Sequence, residues 1–291
     1  MFNKDSLYSD NIPLSDEVFA LIRDLIKDYC GIFFDENSKY LLEGRLSRRL
    51  KALYITDFRD YYRFLLYDRK REEELTAIID LLTVNETYFF REQNQLTAFS
   101  KEILPELRDK NRQKKRLRIW SAGCSTGEEP YTIAMLILES GLMQGWEINI
   151  LGSDINQRVL TAARRGAYRM NSFRTTENYY IKKYFGETDG LHLVKDDLKN
   201  LVSFSYTNLL DPVRIRLVEQ MDVIFCRNVM IYFNIDTRRK VIDNFYDRLV
   251  PGGYMLLGHA ESLMNISAAF SLRHLKYDMV YQKPDMQEQY R

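Results

Sequence analysis

The sequence predicts an α/β fold. A doubly wound, Rossmann-like domain carries a terminal antiparallel hairpin and a small inserted β-subdomain, and a small all-helical domain precedes it. Three observations predict this. Residues 15–82 show only helical periodicity. From Leu117 onward, short apolar runs alternate with helical patterns, the mark of a mostly parallel sheet with helices on both faces. Where the two regimes meet, LRIWSAGCSTGEEPYTIAM (117–135) reads strand, small-residue turn, helix. An α/β domain opens a ligand crevice in that way, at the carboxyl end of its first strand.

Each element has its own local reason. Ser15-Asp16-Glu17 presents an N-cap with acids in the first turn, so a helix runs to about Tyr29 and stops at Gly31. In KYLLEGRLSRRLKAL (39–53), leucines at 42, 46, 50 and 53 form a stripe with helical spacing. Thr56-Asp57 starts a third helix bearing Phe58, Tyr61, Tyr62, Phe64 and Leu65, and 72–82 supplies a fourth. Their apolar faces pack on one another, giving a helical domain at 1–83. Residues 84–116 are expected to be a linker and connecting helix, and 117–291 the second domain. Its strand candidates are 117–123, 147–154, 202–208, 221–226 and 252–258. The closing segment, FSLRHLKYDMVYQK (270–283), turns near Lys276-Tyr277-Asp278 and is expected to be an antiparallel hairpin at the sheet edge.

One connection, 166–201, is far longer than the usual few residues. It carries Tyr168, Phe173, Tyr179, Tyr180, Tyr184 and Phe185, with a turn at 186–190. It is expected to be an insertion of a few short antiparallel strands and a helix. Such a piece serves either as a lid or packing element or as a partner-docking module.

Composition excludes several classes. With 291 residues, 45% of them hydrophobic and 29% charged, the chain is expected to be a soluble globular protein of one or two domains. A formal net charge of +1 argues against a nucleic-acid binder. No apolar run approaches the roughly 20 residues needed to cross a bilayer, and the N-terminus lacks a signal-peptide core. Cys30, Cys124 and Cys226 lie far apart without CxxC pairing, which disfavours a metal or disulfide framework and suits a reducing cytoplasm. His192, His259 and His274 are scattered and read as structural or surface residues. No long heptad is present, so a monomer is expected.

The chemistry begins at the turn. Small residues from Ser121 to Gly127 let a ligand approach the backbone. The turn leads into Glu128-Glu129-Pro130, where a phosphate loop would carry Lys and Ser or Thr. Acid beside a ligand repels a pyrophosphate and attracts an amine. The second strand candidate, WEINILGSDI (146–155), ends in Asp154, placed to accept hydrogen bonds from both ribose hydroxyls of a nucleoside. A dinucleotide and S-adenosylmethionine both fit a nucleoside with an amine nearby. GCSTGEEP does not match GxGxxG, and the acids favour the ammonium and sulfonium of S-adenosylmethionine.

Four blocks, in this order and spacing, resemble the CheR family, the chemotaxis receptor methyltransferases that methylate receptor glutamates from S-adenosylmethionine. They are VNETYFFRE (84–92), IWSAGCSTGEEPYTIAM (119–135), ILGSDIN (150–156) and IFCRNVMIYF (224–233). The helical front domain, the long insertion and the final hairpin agree, so the resemblance spans about Leu14 to Lys283. It implies a class I methyltransferase domain, S-adenosylmethionine as donor, S-adenosylhomocysteine as product and no metal. It implies as partners the cytoplasmic helices of methyl-accepting chemotaxis receptors.

By the same resemblance, Asn85, Thr87 and Arg91 reach onto the cofactor. The Arg91 guanidinium then holds either the methionine carboxylate or the incoming substrate carboxylate. Glu129 is expected to contact the ammonium, with Glu128 facing solvent or capping its helix. Asp154 resembles the ribose-binding acid, and Asn208 and Leu209 the pair bracketing the adenine. Arg227 and Asn228 end the fourth strand at the crevice. Tyr232 lies close to the transferred methyl, where its ring attracts the sulfonium, an effect of about 0.5–2 kcal/mol. Arg91 and Tyr232 are the implied catalytic residues. A glutamate is already ionised at neutral pH, so no general base is needed, and most of the acceleration is expected from alignment.

Arg45, Arg48 and Arg49, with Lys51, lie off the leucine stripe of the second helix and are expected to be exposed. They read as an ordinary charged face or as a docking strip for acidic receptor helices. The rival functions are a same-fold methyltransferase for another substrate and a non-catalytic S-adenosylmethionine-binding signalling module.

Overall fold

The computed structural model describes residues 11–285, and these divide into two units between Val84 and Asn85. In the first unit, α1 (Asp16–Cys30) starts where the Ser15 hydroxyl accepts the Val18 N–H. It ends at Gly31, whose φ of 84° lets its N–H reach back to the Lys27 carbonyl. Next come α2 (Lys39–Ala52), α3 (Phe58–Tyr67), capped by Asp57, and α4 (Arg71–Leu82). Ile22, Ile26, Leu42, Leu46, Leu50, Tyr61, Leu65 and Ile78 are fully buried, so the stripe seen in the sequence is the core of this unit except for Leu53, which caps α2 and is half-buried.

The second unit begins at Asn85 rather than at Leu117. Residues 84–116 were expected to be a linker and connecting helix. A helical stretch is present, α5 (Gln93–Ala98), a π-turn at Phe99–Ile103 and α6 (Leu104–Lys110), and it puts Leu96, Phe99, Ile103, Leu104 and Leu107 into the core of the α/β unit.

Seven strands build the main sheet: β1 (Arg116–Ala122), β2 (Glu147–Asp154), β6 (Val202–Tyr206), β7 (Met221–Cys226), β8 (Leu249–Leu257), β9 (Ser271–His274) and β10 (Met279–Gln282). Their order is β6-β2-β1-β7-β8-β10-β9. The first five are parallel, with β1 and β2 in register from Arg116 opposite Glu147 to Ala122 opposite Ser153. Helices α7 (Glu128–Ser140), α8 (Gln157–Arg165), α10 (Asp196–Lys199), α11 (Pro212–Leu217) and α12 (Ile235–Arg248) lie on the connections between these parallel strands. Strand β10 runs antiparallel to both β8 and β9, so the expected hairpin is present at the edge. Side chains alternate between faces. Leu117, Ile119, Val223, Phe225 and Leu256 join Phe99 and Ile103 in one cluster, whereas Trp120 packs edge-on against Phe245 of α12.

The insertion forms its own three-stranded antiparallel sheet in the order β3-β5-β4, from β3 (Ala167–Tyr168), β4 (Phe185–Thr188) and β5 (Leu191–Val194), with helix α9 (Asn178–Tyr184). Phe173 stacks on Phe89 at 4.8 Å and lies edge-on to Phe185, so aromatic packing ties the insertion to the segment before α5. Cys30, Cys124 and Cys226 are buried free thiols.

Candidate active site

The carboxyl ends of β1, β2, β6 and β7 lie side by side, and the sequence-predicted residues of the second unit gather on that rim. After β1 the chain turns through Gly123–Gly127 and enters α7. Gly127 has a φ of +94°, and a Cβ there would come within 2.9 Å of the Ala163 Cβ and 3.1 Å of the Tyr168 hydroxyl. Gly123, at φ +79°, has no room either, because the Val229 side chain fills the space. Both glycines are therefore required.

Ser125 joins three of the segments. Its N–H donates to Asp154 Oδ2 at 2.8 Å and its hydroxyl donates to the Asn85 carbonyl at 3.0 Å. The other Asp154 oxygen accepts the Asn156 N–H at 2.9 Å. The Thr207 N–H donates to the Asp154 carbonyl at 3.0 Å, which brings Asn208 and the buried Leu209 to the same rim. A carboxylate oxygen has two lone pairs, so it can take a hydroxyl beside an N–H.

A second network lies beyond α7. Glu129 Oε1 accepts the Ser121 hydroxyl at 2.6 Å, and its Oε2 is 3.1 Å from Arg227 Nη1. Arg227 also pairs with Glu92 at 3.1 Å and donates to the Arg91 carbonyl at 2.5 Å. Its side chain is only 3% exposed, against 14% for Glu129 and 12% for Glu92. Burial pushes the Glu129 carboxyl above the usual range, while Arg227 and Ser121 pull it back. Arg227 was expected to end in the crevice. Its guanidinium is instead spent on two carboxylates and a carbonyl, so it holds Glu129 in place.

Of the two expectations for Glu128, solvent-facing or helix-capping, the first fails. It is 2% exposed, and it accepts the Thr126 hydroxyl at 2.7 Å and the Ser172 hydroxyl at 3.1 Å. Its carboxyl is raised by burial, and it anchors the insertion to the turn.

Arg91 stands half-buried, donating to the Glu86 carbonyl at 3.0 Å, with its guanidinium 5.7 Å from the Tyr88 ring. Thr87 is half-buried on the same segment. Tyr232 is half-buried too. Burial raises its hydroxyl and the Arg91 charge opposes that, so the two residues share one electrostatic neighbourhood. Asn228 has a φ of 59°, and its side-chain oxygen is buried without a hydrogen-bond partner. Phe90, Glu92, Ser125 and Asn228 are four of the eight non-glycine residues with positive φ among the described residues. Such backbone costs about 1–3 kcal/mol each and persists where surroundings fix it, most often at functional sites.

The donor set fits S-adenosylmethionine. It offers two carboxylates, Asp154 and Glu129, and a buried amide oxygen lacking a donor. Among the described residues, no group of His, Cys, Asp and Glu is arranged to hold a metal.

Residues 85–279 match the family described as CheR methyltransferase, SAM binding domain, and residues 17–83 match its all-alpha domain. The chain belongs to the CheR family. It is 38% identical over 277 residues to chemotaxis protein methyltransferase 2 of Vibrio cholerae, covering 94% of this chain and 96% of that one. It is also 38% identical to the chemotaxis protein methyltransferase of Borreliella burgdorferi (90% and 94% covered) and 36% identical to that of Escherichia coli (91% of each). CheR membership makes the second unit an S-adenosylmethionine-binding methyltransferase domain, and no helix of the described residues is long and apolar enough to cross a membrane.

The three arginines of α2 lie in the other unit, and two are not exposed as expected. Arg49 forks onto the buried Glu74 at 2.9 and 2.5 Å, and Arg45 donates to the Leu82 carbonyl at 2.9 Å, at the end of α4. Only Arg48 is exposed. Periodicity shows which residues leave the core stripe. It does not show that a long guanidinium will turn back to a partner far along the chain.

Sequence reasoning passed over Ser121, Ser125, Glu92 and Glu261. The serines were noted only for their size. Glu261 follows β8 in a polar loop, and nothing in that stretch marks it.

Proposed function

We propose that the chain transfers the methyl group of S-adenosylmethionine to glutamate side-chain carboxylates of chemotaxis receptors, leaving glutamate methyl esters and S-adenosylhomocysteine. The observation that carries this reading is the rim where Asp154, Glu129 and the unpartnered Asn228 oxygen converge. Relatives named chemotaxis protein methyltransferases, matched over nine-tenths of the chain, support it.

In this reading Asp154 accepts from the ribose, Glu129 from the ammonium, and Asn208 and Leu209 bracket the adenine. Asn85, Thr87 and Arg91 close over the donor, Asn228 offers it a buried acceptor, and Arg227 acts through Glu129. S-adenosylmethionine supplies an electrophilic methyl carbon whose bond to sulfur breaks with the electron pair staying on sulfur. Arg91 orients the substrate carboxylate in line with that carbon, and no side chain has to remove a proton. Tyr232 turns its ring to the sulfonium. The segment 85–92 excludes water, which strengthens every charge interaction inside.

The test is incubation with a methyl-labelled donor and cytoplasmic fragments of receptors. Label in the fragments that is released as methanol by mild base, and absent when the receptor glutamates are replaced by alanine, is expected. Base-stable label would move the reaction to another acceptor atom, and label in nucleic acid would end the receptor reading.

A further inference from the structure

Beyond β8, one carboxylate gathers the backbone of the loop that carries Tyr232. Glu261 Oε2 accepts the Asn228 N–H at 2.8 Å and the Gly258 N–H at 2.8 Å, while its Oε1 accepts the Ile231 N–H at 3.2 Å. Asn228 is a left-handed non-glycine residue, so its N–H points where ordinary backbone would not send it. A carboxylate accepting several N–H groups is the acceptor best suited to hold such a turn. Gly258 makes room for the arrangement. A Cβ on it would stand 2.9 Å from both the Asn228 nitrogen and Glu261 Oε2. Next to the tether lies a cavity of about 820 Å³ lined by Gln95, Leu257, His259, Met264 and Tyr281, with Glu261 on its wall. A freed loop would have space to relax into it.

We infer that Glu261 is a positioning residue for methyl transfer, fixing the 228–232 loop so that Asn228 and the Tyr232 ring meet the donor. The inference rests on the proposed function, in which Asn228 meets the donor and Tyr232 faces the reacting methyl. Glu261 itself touches neither donor nor substrate. It acts through the loop's backbone, whereas Asn228 and Tyr232 act through side chains.

The experiment uses the full chain with receptor fragments and reads kcat, the S-adenosylhomocysteine dissociation constant and Tm together. Glu261→Gln removes the charge and one acceptor, so kcat is expected to fall about 10- to 100-fold, the scale of a small misplacement of a reacting group. Binding of S-adenosylhomocysteine, held mainly at Asp154 and Glu129, is expected to weaken only a few-fold. The decisive readout is the pair with Tyr232. In a Tyr232→Ala background, adding Glu261→Gln is expected to cost little more, because both changes remove one interaction. Glu261→Asp, with the charge kept and the reach shortened, should show the same coupling if Glu261→Gln does not fold. Unchanged kcat in the single variants, a penalty that adds in full to Tyr232→Ala, or failure of both Glu261 variants to fold would each overturn the positioning role. Were the parent chain itself inactive on receptor fragments, the receptor reading would fall first, and this inference with it.

Discussion

Two guanidinium–carboxylate networks, one in each unit, use the same chemistry to opposite ends. In the helical unit, Arg49 meets Glu74 with two parallel bonds, and the Tyr61 hydroxyl donates to Glu74 Oε1 at 2.5 Å. Glu74 is 4% exposed, and both of its oxygens are claimed by neighbours of its own unit. In the α/β unit, Arg227 is divided among Glu92, Glu129 and a carbonyl, and the adjoining Asn228 oxygen has no partner. A closed network fixes helices. A network bordered by an unmet acceptor, beside strained backbone, is poised for a ligand. Burial of charge alone does not distinguish structure from site; here the α/β network borders an unmet acceptor and, among the described residues, the helical network does not.

The strongest way to break that contrast is to remove the cation from each network. Arg227→Ala leaves two half-buried carboxylates facing each other and is expected to cost about 3–5 kcal/mol, or roughly ten degrees of Tm in a unit of this size. Arg49→Ala, where the arginine is 29% exposed, should cost less, about 2–3 kcal/mol. Thermal melts of both variants, with and without S-adenosylhomocysteine, carry the comparison. Ligand is expected to rescue Arg49→Ala by the same increment as the parent and Arg227→Ala by much less, because Glu129 is then misplaced. Equal rescue would place Arg227 with Arg49 as a purely structural residue.

A smaller effect isolates the ribose end. Asp154→Asn keeps the size of the side chain while losing the charge and one of the two oxygens that accept the Ser125 and Asn156 N–H groups. Charged hydrogen bonds contribute about 1.5–3 kcal/mol, so S-adenosylhomocysteine affinity should fall about 10- to 100-fold by calorimetry. Affinity within twofold of the parent would remove Asp154 from the binding set.

How far such contrasts were legible in the sequence varies with their range. Caps are local, and Ser15, Asp57 and Gly31 sit where the sequence puts them. Strand positions followed from apolar runs, with misses at the ends: β6 stops at Tyr206 rather than 208, and β8 starts early. Strand β8 begins at Leu249 rather than near Gly252, because Leu249 already pairs with Met221 across a bulge. The acids at the turn and at the tip of β2 were legible because strand ends converge by topology. The fates of the arginines were not. Arg49 finds Glu74 on another helix and Arg227 finds Glu92 from far along the chain, and no spacing rule encodes such pairs. Glu261 was invisible for the same reason, its donors lying near residues 228 and 231.

Acidity tests the open network in another way. Burial raises the Glu129 carboxyl in the free chain, and a bound ammonium favours its ionised form. Binding must therefore release protons at pH values below that raised value. Affinity is expected to be level above it and to fall by about tenfold per unit as pH drops below it. A guanidinium does not titrate in this range, and Glu92 is the other carboxylate facing the pair. In Glu129→Gln the slope should vanish and affinity should stay at the low-pH level. A slope that survives this substitution would assign the titration to another group.

The smallest effect belongs to the one exposed arginine of α2. Arg45 and Arg49 are bound within their own unit, so reversing their charge would damage the fold before it reported on docking. Arg48 avoids that confusion. If acidic receptor helices dock on this face, Arg48→Glu should lower kcat/KM for receptor fragments by up to about fivefold at low salt, the scale of a surface charge pair. The loss should shrink as ionic strength rises, since a pair in solvent is screened within about 10 Å at 0.1 M salt. Tm and S-adenosylhomocysteine binding should not move. Should kcat/KM stay level at low salt, α2 is an ordinary charged helix face, and the receptor must be recognised by the α/β unit or its insertion.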